Sequence, residues 1–480
     1  MLKFKKITAL ILGTVMISGA IIGCGKSASS DKKDEVVNLT WYTIGQPQKD
    51  TEKVQEEINK YTKEKIGATV TIKSIDWGDY TKKMQVLTNS GEDYDIAFTC
   101  SWANDYLQNA RKGAFLELDD AFKNELKDTY EAIDKRFWDG AKIDGKTYAV
   151  PTNKELGIAP SWVFTKEYVD KYNIPYKDIH TLQDLEPWLK IIKEKEPDVV
   201  PFYIIKDYAA PATFDPLIEK LIGVSLQNND LKIENIFDTK EMKDNLDTMR
   251  KYYKAGYINK DAATAKDDRT IKRFVTKADG QPYADVMWSK DLRYPVVSSP
   301  IMDVYVTNLS TTGSMQAINK NSKHPEQAKK FLNLLNTDKK LRNLVNYGIE
   351  GTHYTKVADN KIKITPEQKN YSVPYFALGN LFITYTLDNE PDTKWDEFKK
   401  FNDESKPSPA LGFKFNSDPV STEIAGLKNV LDEFGPAIYS GSVEPSEYLP
   451  KLNDKLKATG IDKIKAEMQK QMDEWKKTKK

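Results

Sequence analysis

The sequence predicts an α/β fold built from two sheet-and-helix regions, and three observations carry that expectation. Strand-like and helix-like stretches alternate from residue 36 to residue 98, and a second alternation begins at Trp162. Between them lies a tight hairpin closed by a proline, and strand character returns near residue 301. Alternation of this kind implies a mostly parallel sheet in each region, flanked by helices.

The chain opens with Lys3, Lys5 and Lys6 and an apolar run over 7–22. That run is short for a span of ~20 residues, and its flanks are those of a secretory signal peptide. Ile21-Ile22-Gly23-Cys24 resembles a bacterial lipobox, with Ile at both places where Leu and a small residue are usual. Cleavage before Cys24 and a lipid on its thiol are therefore expected, with a plain signal peptide or an uncleaved anchor as the alternative. Several acyl chains on one residue suffice for stable anchoring. Residues 24–35 are small, polar and charged and read as a flexible tether. With Cys24 so used, Cys100 is unpaired and no disulfide forms.

Residues 36–42 read as a strand. Val54, Ile58 and Tyr61 follow at helical spacing, then a β-branched stretch over 68–72, then Tyr80, Met84 and Leu87, then a strand over 94–98. Ligands of such sheets sit beyond the carboxyl ends of the strands. Those ends carry Tyr42, Thr43 and Gln46, then Asp76 and Trp77, then Ser101, Trp102 and Asn104. Trp77 and Trp102 thus share one rim, although a tryptophan there can equally pack a helix onto the sheet. Asp144-Gly145 is a type I′ turn signal, with arms at 141–143 and 146–150. Pro151 ends the second arm because it has no N–H for a ladder. The polar run Thr152-Asn153-Lys154-Glu155 then suits a crossing between lobes, while an ordinary surface hairpin fits the same spacing.

In the second region, residues 181–193 read as a helix capped by Thr181, and residues 199–205 as a strand. Residues 240–255 form a helix ended by Gly256. Residues 285–288 read as a short strand finishing in Trp288, and residues 301–306 as the strand that returns to the first region. Ile461, Ile464, Met468, Met472 and Trp475 share one helix face and read as a packing stripe.

Composition narrows the function. Lys plus Arg number 72 against 71 Asp plus Glu, so no global field draws nucleic acid. Two Cys and three scattered His leave no structural zinc site and no Ser-His-Asp set. Asn228-Asn229-Asp230 and Asp267-Asp268 lack the glycine and spacing of a calcium loop. No required metal and no cofactor are expected. The 25 Tyr, 18 Phe and 9 Trp suit a site that stacks flat ligands.

Five segments carry a resemblance. They are Gly-Lys-Thr-Tyr-Ala-Val-Pro at 145–151, Gly-Ala-Phe-Leu-Glu-Leu at 113–118, Ala317-Ile318-Asn319 with the His324 to Leu332 run, and the two runs 347–354 and 411–416. With the lipobox they resemble family 1 extracellular solute-binding lipoproteins of bacterial ABC importers, in the branch with an added C-terminal domain. The resemblance implies two lobes joined by a hinge, a periplasmic-binding-protein-like fold. It implies capture of a small solute, most often a carbohydrate, and delivery to permease subunits at the outer face of the cell membrane. No catalysis and a monomer are expected; a lipoprotein glycosidase, or a surface sensor or peptide binder, is the rival.

The expected parts are a leader at 1–23 and a tether at 24–35. Lobe 1 takes 36–152 and 290–320, lobe 2 takes 153–289 and 321–400, and an extension at 401–480 packs on the lobes. A sugar needs rings for its C–H faces and charged or amide groups for its hydroxyl edge. The candidate stackers are Tyr42, Trp77, Trp102 and Trp288. The candidate hydrogen-bonders are Gln46, Asn104, Asn153, Glu155 and Glu350, with Gly348 and Gly351 letting backbone approach. Glu155 as a hinge-side ion pair and Glu350 as a loop brace are the alternatives.

Overall fold

The computed structural model describes residues 36–479; the expected leader, tether and lipidated Cys24 lie outside the described residues. The first sheet holds Ala68–Ile75, Val37–Ile44, Ile96–Thr99, Met315–Ile318 and Val150–Pro151, in that order. Its first three strands are parallel, and the crossovers are the helices Thr51–Ile66 and Tyr80–Ser90. Val54 and Ile58, one helical turn apart, are fully buried on the sheet. Met315–Ile318 pairs antiparallel on both sides, and Trp41 Nε1 donates to Gln316 Oε1 at 2.8 Å, tying the first strand to the returning one.

Residues 321–400, expected in lobe 2, instead cover the first sheet. Ala328, Phe331, Leu332 and Leu335 of helix Pro325–Thr337 share one core with Leu39 and Trp41. Phe331 meets the Trp41 ring edge-on at 5.4 Å. The apolar stripe of that helix follows directly on Met315–Ile318, so burying it locally needs no second crossing.

The second sheet runs Val296–Pro300, Ala159–Thr165, Arg273–Gly280, Val200–Phe202. Only the last pair is parallel; the other two are antiparallel. Val296–Pro300 thus belongs to the second lobe, and the return to the first begins after it. Residues 285–288, read as a strand, lie in the helix Ala284–Leu292. Three apolar residues in a row, Val286, Met287 and Trp288, do not distinguish the two by period. Tyr283 and Arg293, with φ of 64° and 65°, bound that helix.

A third, three-stranded antiparallel sheet (Phe214–Ile218, Ile222–Ser225, Glu234–Asn235) packs with helix Lys240–Lys254 against the C-terminal helices Ser421–Tyr439, Pro445–Thr459 and Ile461–Thr478. Ile461, Ile464, Met468 and Met472 are all buried there, and Trp475 packs on Phe413 at 5.5 Å.

Three segments cross between the lobes. Ile158 bridges Tyr305, and Tyr305–Val306 pairs in parallel with Lys406–Pro407. Asn402 Oδ1 accepts from Leu156 N at 2.7 Å and its Nδ2 donates to Lys154 O at 2.9 Å. A Cβ at Gly157 would lie 2.4 Å from Val304 Cγ1, so the hinge strands touch there only because the residue is glycine. Beside the hinge, residues 408–416 form a strap. Its Lys414 ammonium donates to Gly140 O and its Ser408 hydroxyl to Asp215 of the third sheet. Burial pushes the Asp215 carboxyl up to about 6 and the Lys414 ammonium down to about 7.

Candidate functional site

The parallel strands of the first sheet deliver two tryptophans to one rim. The Asp76 carbonyl accepts from Asp79 N and Tyr80 N, which turns the chain into its next helix and leaves Trp77 outside. Trp102 follows strand Ile96–Thr99, and its Nε1 donates to Gly313 O at 2.8 Å. The two rings stack at 6.1 Å and 24°, and Trp77 stacks on Phe376 at 6.2 Å and 25°. Trp77 is 43% and Trp102 52% exposed, a large apolar area to leave in water.

Phe376 escaped the sequence reading. It sits on a loop some 275 residues from Trp102 in the chain, held down by Arg342. That guanidinium is fully buried and donates to Asn380 O, Asn346 Oδ1 and Tyr375 O. Burial lowers its pKa to about 10. The only sequence signal was the Pro374-Tyr375-Phe376 cluster itself.

Other expected residues go elsewhere. Tyr42 is 4% exposed and meets Tyr94 edge-on within the core; as a strand residue its side chain points to the helix-covered face. Asn104 is buried with φ 48° and braces its own loop, donating to Phe98 O at 2.9 Å. Asn153 is buried and donates to Ala132 O at 3.0 Å, on the side of a first-lobe hollow lined by Tyr130 and Trp138. Glu155 pairs with Lys154 on the hinge. Glu350 lies on the outer flank of the first lobe, 3.3 Å from Lys356, beside Tyr61 and Tyr385. Gly348 is glycine because a Cβ would lie 2.5 Å from the buried His353 ring, not to admit a ligand. Gln46 stays exposed at the end of the first strand, beside Gly45, which abuts Pro374.

The second lobe contributes a different surface. Strands Val200–Phe202 and Arg273–Gly280 run parallel, and at their carboxyl ends a cavity of about 390 Å³ is lined by Tyr203, Tyr208, Lys277, Asp279 and Trp288. Arg273 lies over the Tyr203 ring at 3.9 Å and reaches Asp267 at 3.3 Å. The Trp288 ring turns back toward Gly280, where a Cβ would stand 3.0 Å from it. Tyr283, just before that helix, has a buried hydroxyl close to the side chains of Thr393 and Glu397. Burial and the nearby Glu397 carboxylate of helix Lys394–Glu404 hold its phenol above the usual value. The two lobes therefore approach along that line.

Among the described residues, no group of three His, Cys, Asp or Glu side chains could hold a metal. Cys100 is buried, and burial pushes its thiol up to about 12.

A family model described as "Bacterial extracellular solute-binding protein" matches residues 45–341. A second, "Domain of unknown function (DUF3502)", matches residues 409–477, which are the strap and the C-terminal helices. A "Carbohydrate ABC transporter substrate-binding protein" of Streptococcus pneumoniae is 36% identical, over 100% of both chains. A "Polygalacturonan/rhamnogalacturonan-binding protein YtcQ" of Bacillus subtilis is 24% identical over 92% of this chain and 93% of its own. Among solved structures, the N-glycan transport solute binding protein (NgtS) of Streptococcus pneumoniae superposes with a TM-score of 0.86 at 36% identity, over 92% of this chain and 100% of that one. The same protein in complex with Man1GlcNAc gives 0.73 at 35% identity, over 91% and 99% of the two chains. In complex with Man5GlcNAc it gives 0.71 at 37% identity, over 92% and 99%.

Proposed function

The chain belongs to the family of bacterial extracellular solute-binding proteins, and from that premise we propose that it captures an oligosaccharide between its lobes and passes it, unaltered, to the permease of an ABC importer. The observation that carries the sugar assignment is the run of three aromatic rings on the first-lobe rim, Trp77 and Trp102 open to water and Phe376 half-buried beside them. Sugar ring faces present C–H groups, which such rings cover while shedding water. The glycan-binding relatives support the same class.

Ligand closes the hinge by favouring the state in which both lobes touch it. The fall in TM-score from 0.86 to 0.73 and 0.71 supports this, because identity to the relative hardly changes between those superpositions. We also read Cys24 as lipid-bearing, which places the mature protein on the outer face of the membrane as a tethered monomer.

Calorimetric titration of the purified protein with mannose–N-acetylglucosamine oligosaccharides tests the reading, beside a thermal-shift screen that includes uronates and peptides. A ligand that binds only the folded state raises the melting temperature. Sugar-dependent stabilisation and intact sugar recovered afterwards are expected. Shifts with peptides alone, or shortened sugar, would refute the assignment.

A further inference from the structure

The strand Arg273–Gly280 outruns its parallel neighbour. Pairing with Val200–Phe202 ends at Val275, so residues 276–280 present an open edge on that side, and the second-lobe cavity lies along it. Lys277 stands on this open stretch. Its ladder partner across the sheet is Trp162, which is wholly buried.

The other cations lining the cavity all have partners. Arg273 and Arg269 both reach Asp267, and Lys220 donates to Asp207 O at 3.4 Å. The Lys277 ammonium makes no hydrogen bond and no ion pair among the described residues. Burial holds its pKa below the usual lysine value, with Asp279 opposing and Lys220 adding to that effect. A partly desolvated, unpartnered charge costs stability, and Asp279 offsets that cost only in part.

We propose that Lys277 is a ligand-reading donor, whose ammonium takes hydroxyl or acetamido oxygens of a neutral saccharide seated between it and Trp288. This rests on the sugar-binding reading above and assigns the polar half of that site. Neutrality follows from the cavity's own balance: Lys220, Arg269, Arg273 and Lys277 are matched by Asp207, Asp267, Asp279 and Asp291. No net positive field selects an anion there.

The test uses the full-length protein and Lys277→Met, which keeps the stem and removes the charge. Without ligand the variant melts at a higher temperature than the wild type. Its affinity for a mannose–N-acetylglucosamine oligosaccharide falls about tenfold or more, as for loss of a hydrogen bond to a charged donor. Lys277→Arg recovers part of the affinity. If the wild type binds the sugar and Lys277→Met binds it equally well, Lys277 is not a reader, and the sugar assignment stands. A lower melting temperature for Lys277→Met makes the ammonium a structural group and overturns the proposal. Tighter binding of a uronate oligomer than of the neutral sugar overturns the neutral class. A wild type that binds none of these sugars ends both readings.

Discussion

The two lobes meet the gap with opposite chemistry. The first offers a row of uncharged rings, two of them open to water; the second offers a recess lined by charges, with the Trp288 ring folded back against its own sheet. Rings accept any ligand with an apolar face, so they supply affinity with little selectivity. Directional donors and acceptors discriminate, because a wrong ligand leaves them unpaired. A two-lobed binder can thus divide attraction from reading, and it is complete only when the halves come together.

The largest expected effect falls beneath the first half. Arg342→Met strips the donors from Asn380 O and Tyr375 O. The loss is about 3 kcal/mol of stability, within the range for hydrogen bonds to a charged group, seen as a lower denaturant midpoint. Phe376 should loosen with it, so affinity falls in the same variant. If affinity is unchanged, the third ring does not belong to the site.

Next come the rings. Trp102→Ala and Trp77→Ala each weaken sugar binding by about 2 kcal/mol, roughly thirtyfold, as central aromatic anchors do. Unfolding midpoints hardly change, since both side chains are exposed. Trp288→Ala differs: its ring packs on Gly280, so it costs stability as well as affinity. Equal profiles for Trp102→Ala and Trp288→Ala would erase the contrast between the halves.

The seam joining them carries a pH signature. Asp215 is raised from 3.8 to about 6, so the folded state holds a proton that the unfolded state has lost, and stability falls as pH rises through that window. Lys414 is lowered from 10.5 to about 7. The unfolded state there binds the extra proton, and stability recovers as pH rises from about 7 toward 10.5. Melting temperature should therefore dip near neutrality, and Asp215→Asn should remove the fall on the acid side. A flat acid limb in the wild type would contradict this. The smallest effect is expected at Glu350, on the outer flank: Glu350→Gln leaves sugar affinity and stability within about 0.5 kcal/mol.

What could be read from the chain tracks how local the cause is. Trp77 and Trp102 were legible because strand, turn and helix follow one another over a few residues, and the turn sits at the carboxyl end by construction. Asp144 and Gly145 take positive φ of 52° and 84° as the turn signal requires, although the preceding arm is shorter than expected, since helix Lys135–Ala141 runs up to it. Tyr42 and Asn104 sit at the same rim in sequence. Which way a strand-end side chain points, and whether a loop needs an internal brace, depends on neighbours far along the chain. Residues 285–288 fold as helix where the sequence suggests strand, because helix and strand place three consecutive apolar residues equally well.

The alternation of elements, the crossing after Pro151, the C-terminal packing stripe and two of the rim rings were all legible in the chain alone. Each rests on periodicity, turn chemistry or the fixed φ of proline, which act within a few residues. Long-range packing set the rest: residues 321–400 cover the first sheet, Phe376 completes the aromatic row, and Lys277 has no ion pair or hydrogen bond among the described residues. Those facts depend on which surfaces bury one another and which charges find an answer, and burial and pairing are properties of the folded whole.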